Sequence, residues 1–182
     1  MSPRILAFRH APVDAAGLCY GRADVPTLLK DEEAAQQILT RLPSLLPEVP
    51  SLVWSSPTAR CRGPAWWVAR TLGLPHREDP LLAELDQGTW EGLRWEIIER
   101  DFQESYRAWM TDWKTLSPPG GETVADLEAR ARTWLSGLPP EGTHLLLAHA
   151  GFVRAVWVVT QGLDWEAAMS RSVPHLEPIF LG

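Results

Sequence analysis

Two periods run through the chain. Short, nearly unbroken apolar runs alternate with longer stretches in which apolar residues return every three or four positions, and these predict buried strands and amphipathic helices respectively. Ile5 to Phe8 predicts a strand that ends on Arg9-His10. Thr27 to Leu46 places Leu28, Ala35, Ile38, Leu39, Leu42 and Leu46 on one helical face. Ser51 to Ser55 predicts a second strand, after which Ser56 as N-cap and Pro57 as first helical residue open a helix that stops at Gly73. Leu93 to Trp113 predicts helix, closed by Pro118-Pro119-Gly120-Gly121. Thr123 to Leu138 predicts another helix, with Thr123 and Asp126 spaced for a capping arrangement. Thr143 to Ala148 is a second strand that runs into a histidine, His149, and the apolar helix Phe152 to Thr160 follows Ala150-Gly151. His175 to Leu181 predicts a final strand, and Pro178 favours an edge. The alternation predicts an α/β fold, a three-layer α/β/α sandwich around a mostly parallel central sheet.

Composition narrows the picture. With 182 residues, 45% hydrophobic and 22% charged, the chain has the size and make-up of one globular domain, 1–182. A formal charge of −6 argues against a general nucleic-acid or acidic-membrane partner, so any phosphate site must be local. Arg9-His10 interrupts the first apolar run, so neither a signal peptide nor a membrane span is expected, and the protein reads as cytoplasmic. Cys19 and Cys61 form no C-x-x-C pair and read as free thiols, with no metal site implied. No glycine-rich nucleotide-binding fingerprint is present. The partner expected is a small molecule; the oligomeric state stays open, a homodimer included.

The chemistry lies at the strand ends. In an open α/β sheet ligands bind beyond the carboxyl ends of parallel strands, where helix N-termini point. Arg9-His10 and His149 are delivered to such ends. A pair of this kind at one strand exit has a bland reading as surface; two strands of the same design are harder to assign to chance. Arg60 falls in the first turn of a predicted helix, where acids rather than cations stabilise, a placement that makes sense for an anion site. Glu84 lies among Leu82, Ala83 and Leu85, surroundings in which a carboxyl tends to keep its proton, as a general acid requires. Asp86 and Glu91 read as solvated loop acids. In the loop Ala11 to Pro26, Arg22 and Asp24 fit either a loop-fixing ion pair or a substrate contact. His76, His144 and His175 have no comparable setting, and strand alternation puts His144 on the opposite face from His149. Trp90, Trp95, Trp109 and Trp113 cluster in the middle segment; packing is the favoured reading, and stacking on an aromatic aglycone such as a benzimidazole is the alternative.

These residues carry a resemblance. F-R-H-A at 8–11, S-S-P-T-A-R at 55–60, A-E-L-D-Q-G-T-W-E-G at 83–92, P-G-G-E-T at 119–123 and A-H-A-G at 148–151 together resemble the histidine phosphatase, or phosphoglycerate mutase-like, superfamily. C-Y-G-R-A-D-V-P at 19–26 further resembles its α-ribazole phosphatase branch, enzymes of cobalamin nucleotide-loop assembly. The resemblance implies the phosphoglycerate mutase-like fold, with 93–121 a helical excursion over the active site. It implies that His10 attacks phosphorus and becomes phosphohistidine. Arg9, Arg60 and His149 would hold the phosphoryl oxygens, Arg22 and Gly151 would add substrate contacts, and Glu84 would donate the proton, with no cofactor or metal. The expected activity is metal-independent hydrolysis of a phosphomonoester, α-ribazole 5′-phosphate or a similar small ester. The alternatives are mutase-type phosphoryl transfer, which the short chain and brief tail after His175 disfavour, and a non-catalytic phospho-ligand binding module. The chain departs from the family pattern at Ala11 and Ala150, where glycine is usual, and at Pro12, Val13 and Ala16, where ancillary polar contacts are common.

Overall fold

The computed structural model describes residues 3–46 and 49–181. A five-stranded sheet in the order β3-β2-β4-β1-β5 forms its centre: β1 (Arg4–Arg9), β2 (Leu52–Ser55), β3 (His76–Glu78), β4 (Thr143–Ala148) and β5 (Pro178–Leu181). All pairings are parallel except that of β5, which runs antiparallel along β1 and occupies an edge. The edge position accommodates Pro178, which has no N–H to donate.

Strand alternation builds two cores. Ile5, Ala7, Leu146 and Ala148 face one layer, with α5 (Val124–Ser136) and α6 (Ala150–Gln161); Leu6, Phe8, Leu145 and Leu147 face the other, with α1 (Asp31–Leu45) and α2 (Ala59–Leu72). Both faces are covered, which is why the central strands are almost continuously apolar. The fold is the α/β/α sandwich expected.

Boundaries moved where loop contacts intervened. α1 begins at Asp31, not Thr27, because Thr27 bridges to Val13 and the Leu28 amide donates to the Pro12 carbonyl at 2.8 Å. α2 begins at Ala59 with Thr58 as N-cap, so Ser56-Pro57 is not its start; the Ser56 hydroxyl is committed to His149 instead, 2.8 Å away. Asp24 reaches over to accept the Ala59 amide at 2.9 Å and supplies the acid that this helix lacks in its own first turn. Gly73 ends the helix in the left-handed conformation expected, and Thr123 with Asp126 forms the capping box of α5.

The middle segment is two helices, α3 (Trp95–Asp101) and α4 (Gln103–Thr111), broken at Phe102. Beneath them Trp90, wholly buried, meets Trp109 edge-to-face at 5.7 Å, while Trp95 and Trp109 stack at 6.2 Å. Trp90 and Trp95 are therefore packing residues. This small core also holds Cys19, and the Cys19 amide and carbonyl both pair with the chain at 92–93. A short helix, α7 (Trp165–Ser170), follows α6. Among the described residues no helix is long and apolar enough to cross a membrane.

Candidate active site

β1 and β4 lie side by side in parallel with Arg9 opposite Ala148, so the residues that follow each strand emerge together. The His10 and His149 rings stand 5.3 Å apart, centroid to centroid, both almost inaccessible to solvent. His10 Nδ1–H donates to the Ala11 carbonyl at 2.7 Å. A carbonyl can only accept, so this bond fixes the tautomer and leaves the lone pair on Nε2. Burial, with the charges of Arg60, Arg9 and His175 adding to it, pushes the His10 pKa down from 6.5 to about 3 despite that hydrogen bond. The ring is neutral at neutral pH, as a nitrogen nucleophile must be.

Arg60 is 2% exposed, and its guanidinium is held by backbone: Nη1 donates to the Ala23 carbonyl at 2.7 Å and Nη2 to that of Gly21. Arg9 Nη1 donates to the Val173 carbonyl at 3.0 Å. The Nε–H groups of both arginines are buried without a partner. Buried donors without a partner are costly, and on two cations beside the His10 imidazole they leave hydrogen-bonding capacity that an anion could use.

His149 has a neighbour at each nitrogen. Nδ1 lies 3.4 Å from Arg60 Nη2, and Nε2 lies 2.8 Å from the Ser56 hydroxyl. Burial first, then the Arg60 charge, holds its pKa well below 6.5. Because a hydroxyl either donates or accepts, Ser56 supports both tautomers, including the one that turns an Nδ1–H toward the space beside Arg60 and His10.

Glu84 is half-buried, and its reason for being there differs from the one its apolar neighbours suggest. Leu82 and Ala83 are buried, whereas the Glu84 carboxylate accepts two backbone amides, Gly151 N–H on Oε2 and Leu85 N–H on Oε1, each at 3.0 Å. A Cβ at position 151 would run into Oε1, so any other residue there would push the Glu84 carboxylate from this position. From α5, Arg130 donates to the carbonyls of Leu81 (2.6 Å), Ala83 (3.0 Å) and Glu84 (3.3 Å) and pairs with Glu122, which fastens the Glu84 segment from behind.

Arg22 and Asp24 do not pair with each other. Arg22 bonds Asp86 at 3.0 Å and Glu122 at 2.6 Å, while Asp24 caps α2. Arg22 thus fixes the loop, with partners other than Asp24, and its side chain remains 39% exposed. Glu91 is likewise not a solvated acid: its carboxylate accepts the amides of Gly21, Arg22, Ala23 and Gln87. Burial raises its pKa, but these four bonds outweigh that and bring it below the ordinary value. The loop so clamped is the one whose carbonyls hold Arg60.

The departures at Ala11 and Ala150 are absorbed by packing: Ala11 lies in the α1/α2 core and Ala150 in the α5/α6 core. His144 is buried against Trp54, away from His149. His175 was missed. Its ring lies 5.2 Å from that of His10, and its Nδ1–H donates to the His10 carbonyl at 2.6 Å. The next residue, Leu176, is the only non-glycine with positive φ among the described residues (55°), a strained turn offset by a side chain that is 2% exposed. The available signal was β5 itself, since a final strand antiparallel to β1 must start near the end where β1 stops.

Fold and site together define an α/β protein that converges a buried arginine, a half-buried arginine and a neutral imidazole on one sheet edge, with a carboxylate fixed beside them. The chain matches the profile of the Histidine phosphatase superfamily (branch 1) over residues 5–177 and belongs to that family. It is 31% identical to the Adenosylcobalamin/alpha-ribazole phosphatase of Salmonella typhimurium over 74% of this chain and 66% of that one. It is also 31% identical to the Glucosyl-3-phosphoglycerate phosphatase of Mycobacterium tuberculosis, over 59% of this chain and 52% of the relative. The matches thus span about half to two thirds of these relatives. The alpha-ribazole phosphatase of Shigella flexneri superposes with a TM-score of 0.84 at 26% identity, covering 95% of this chain and 87% of that one.

Proposed function

We propose that the protein is a metal-independent phosphomonoester hydrolase that works through phosphohistidine on His10. The observation that carries this reading is the His10 Nε2 lone pair, freed by the Nδ1–H bond to Ala11 and kept unprotonated by burial between Arg9 and Arg60. Nε2 attacks phosphorus, the ester P–O bond breaks, and Glu84 as the acid gives its proton to the departing oxygen. Water then attacks the phosphohistidine, Glu84 carboxylate takes the water's proton, the N–P bond breaks, and His10 and phosphate are restored. Charge that spreads over the phosphoryl oxygens in both transfers meets Arg9, Arg60 and His149. Side chains therefore supply the cations that the transfer needs.

α-Ribazole 5′-phosphate is the leading specific substrate. The 19–26 stretch and the likeness to alpha-ribazole phosphatases support it. The test is phosphate release from α-ribazole 5′-phosphate, 3-phosphoglycerate and an aryl phosphate, with chelator present, by the wild type and by His10→Ala. Turnover that resists chelation and vanishes in the variant is expected, with the ester of α-ribazole ranking first in kcat/KM. Release that survives loss of His10 would overturn the reading; interconversion of phosphoglycerates without net phosphate release would make the protein a mutase.

A further inference from the structure

Beside Glu84 the surface opens into a cavity of about 380 Å³ that the reaction core does not use. Gly151 and Leu85 line it beside Glu84, and its aromatic and thioether walls include Trp109 of α4, Trp113 just after it, and Trp165 and Met169 of α7. No charged side chain lines it, and its volume falls within the usual range for small-molecule sites. We infer that this cavity receives the leaving group of the ester and selects a flat, uncharged, apolar one, so that the substrate class is a phosphate monoester of an aromatic-bearing alcohol.

This inference rests on the hydrolase reading, and three observations carry it further. The first is continuity. The two amides that hold the Glu84 carboxylate belong to Gly151 and Leu85, both cavity residues, so the carboxylate stands on the boundary between the cavity and the histidine–arginine cluster. An acid that protonates the departing oxygen must be within hydrogen-bond reach of it, and the remainder of that group then extends past the acid. The second is shape. Trp113 and Trp165 meet at 90° with centroids 6.2 Å apart, a rigid corner of two indoles, while Met169, half exposed at the rim, offers a polarisable thioether that adapts to ring faces. The third is charge. No cation lines the cavity, and Arg154, one turn beyond Gly151 on α6, donates to the carbonyls of Ala168 and Arg171, so a carboxylate within the cavity would lose its water without a charged partner on its walls.

The test separates binding from turnover with probes of equal charge. Naphthylethylphosphonate and ethylphosphonate, which no phosphatase can cleave, are titrated calorimetrically against the wild type, Met169→Glu and Trp113→Ala. The naphthyl compound is expected to bind the wild type about 50-fold tighter or more, equivalent to roughly 100 Å² of apolar surface leaving water. Met169→Glu, a change at an exposed rim that the fold tolerates, is expected to cut this ratio at least about fivefold, and Trp113→Ala to do likewise if it folds. Equal affinities, or a ratio that Met169→Glu leaves intact, would overturn the inference. The corresponding phosphate esters are then assayed for release: turnover of both at equal kcat/KM would remove the aromatic pocket and keep the hydrolase, whereas preferential binding of the naphthyl phosphonate with no ester turned over would keep the pocket and remove the hydrolase.

Discussion

The buried, neutral His10 makes a prediction about the whole fold. Its pKa lies near 3 in the native state against 6.5 for an ordinary histidine, so between these values the unfolded chain binds a proton that the folded one refuses. Stability is therefore complete above about pH 7, falls as the pH drops through 6.5, and stops falling from this source below about 3. At about 1.36 kcal/mol per pKa unit the loss attributable to His10 is roughly 2 kcal/mol at pH 5 and roughly 3 kcal/mol at pH 4. The side chain is 3% exposed, so solvent screening reduces these figures little. The perturbation is His10→Asn, which retains a planar polar side chain that does not titrate. Urea unfolding of both proteins, followed by tryptophan fluorescence at pH 7.5, 5 and 4, reads the difference directly. His149 and His175, also held below their ordinary values, titrate in both proteins and largely cancel. The wild type should lose about 2 kcal/mol more than the variant between pH 7.5 and 5, and millimolar inorganic phosphate should shrink that gap, because an anion between Arg9 and Arg60 favours a protonated ring. Parallel stability profiles for the two proteins would refute the argument that His10 is folded in its neutral form by burial and cationic neighbours.

Three other outcomes are expected. Glu84→Gln should lower kcat/KM, which reports the first phosphoryl transfer and not the shared hydrolysis of phosphohistidine, about 10²- to 10⁴-fold for alkyl esters and far less for a nitrophenyl ester, whose leaving group needs no proton; equal losses in kcat/KM on both would deny Glu84 its role as acid. Arg60→Lys should cost at least about 100-fold in kcat/KM, since an ammonium cannot reproduce a planar guanidinium anchored on two carbonyls, and a stopped-flow or steady-state loss under about threefold would contradict this. Glu91→Ala strips four amides of their acceptor and should destabilise the fold by about 2–4 kcal/mol while raising KM; a variant with unchanged Tm would show that the loop does not depend on this carboxylate.

What the chain announced and what it concealed divide along physical lines. β1, β4 and the helices around them carry long apolar periods, and so the sheet and the His10–His149 pairing were legible. β3 and α7 were not, because three polar residues and a six-residue helix leave too little periodicity. Ser56 was read as an N-cap because serine before proline usually is one; only the fold shows that its hydroxyl serves a histidine 93 residues away. Arg130 and Glu122 were invisible for a similar reason, since a part-buried ion pair that fastens a distant loop looks, in sequence, like any two charges at the start of a helix. His175 lacked a motif of its own; its role comes from lying beside β1, a property of topology and not of local composition.

The loop from Gly21 to Ala23 acts on Arg60 entirely through main-chain atoms, its amides gripped by Glu91 and its carbonyls gripping the guanidinium. Main-chain hydrogen bonds are indifferent to the side chains they carry. Only Gly21 is constrained by its size, because a Cβ there would run into the Leu85 carbonyl. Position 23 is thereby released, whereas Arg22 keeps its ion pairs with Asp86 and Glu122: descendants of this sequence can rewrite what position 23 shows to a passing molecule while Arg60 stays where it is. A scaffold wired in this way separates the part of the site under chemical constraint from the part open to drift, and new specificities can be tried at the second without disturbing the first.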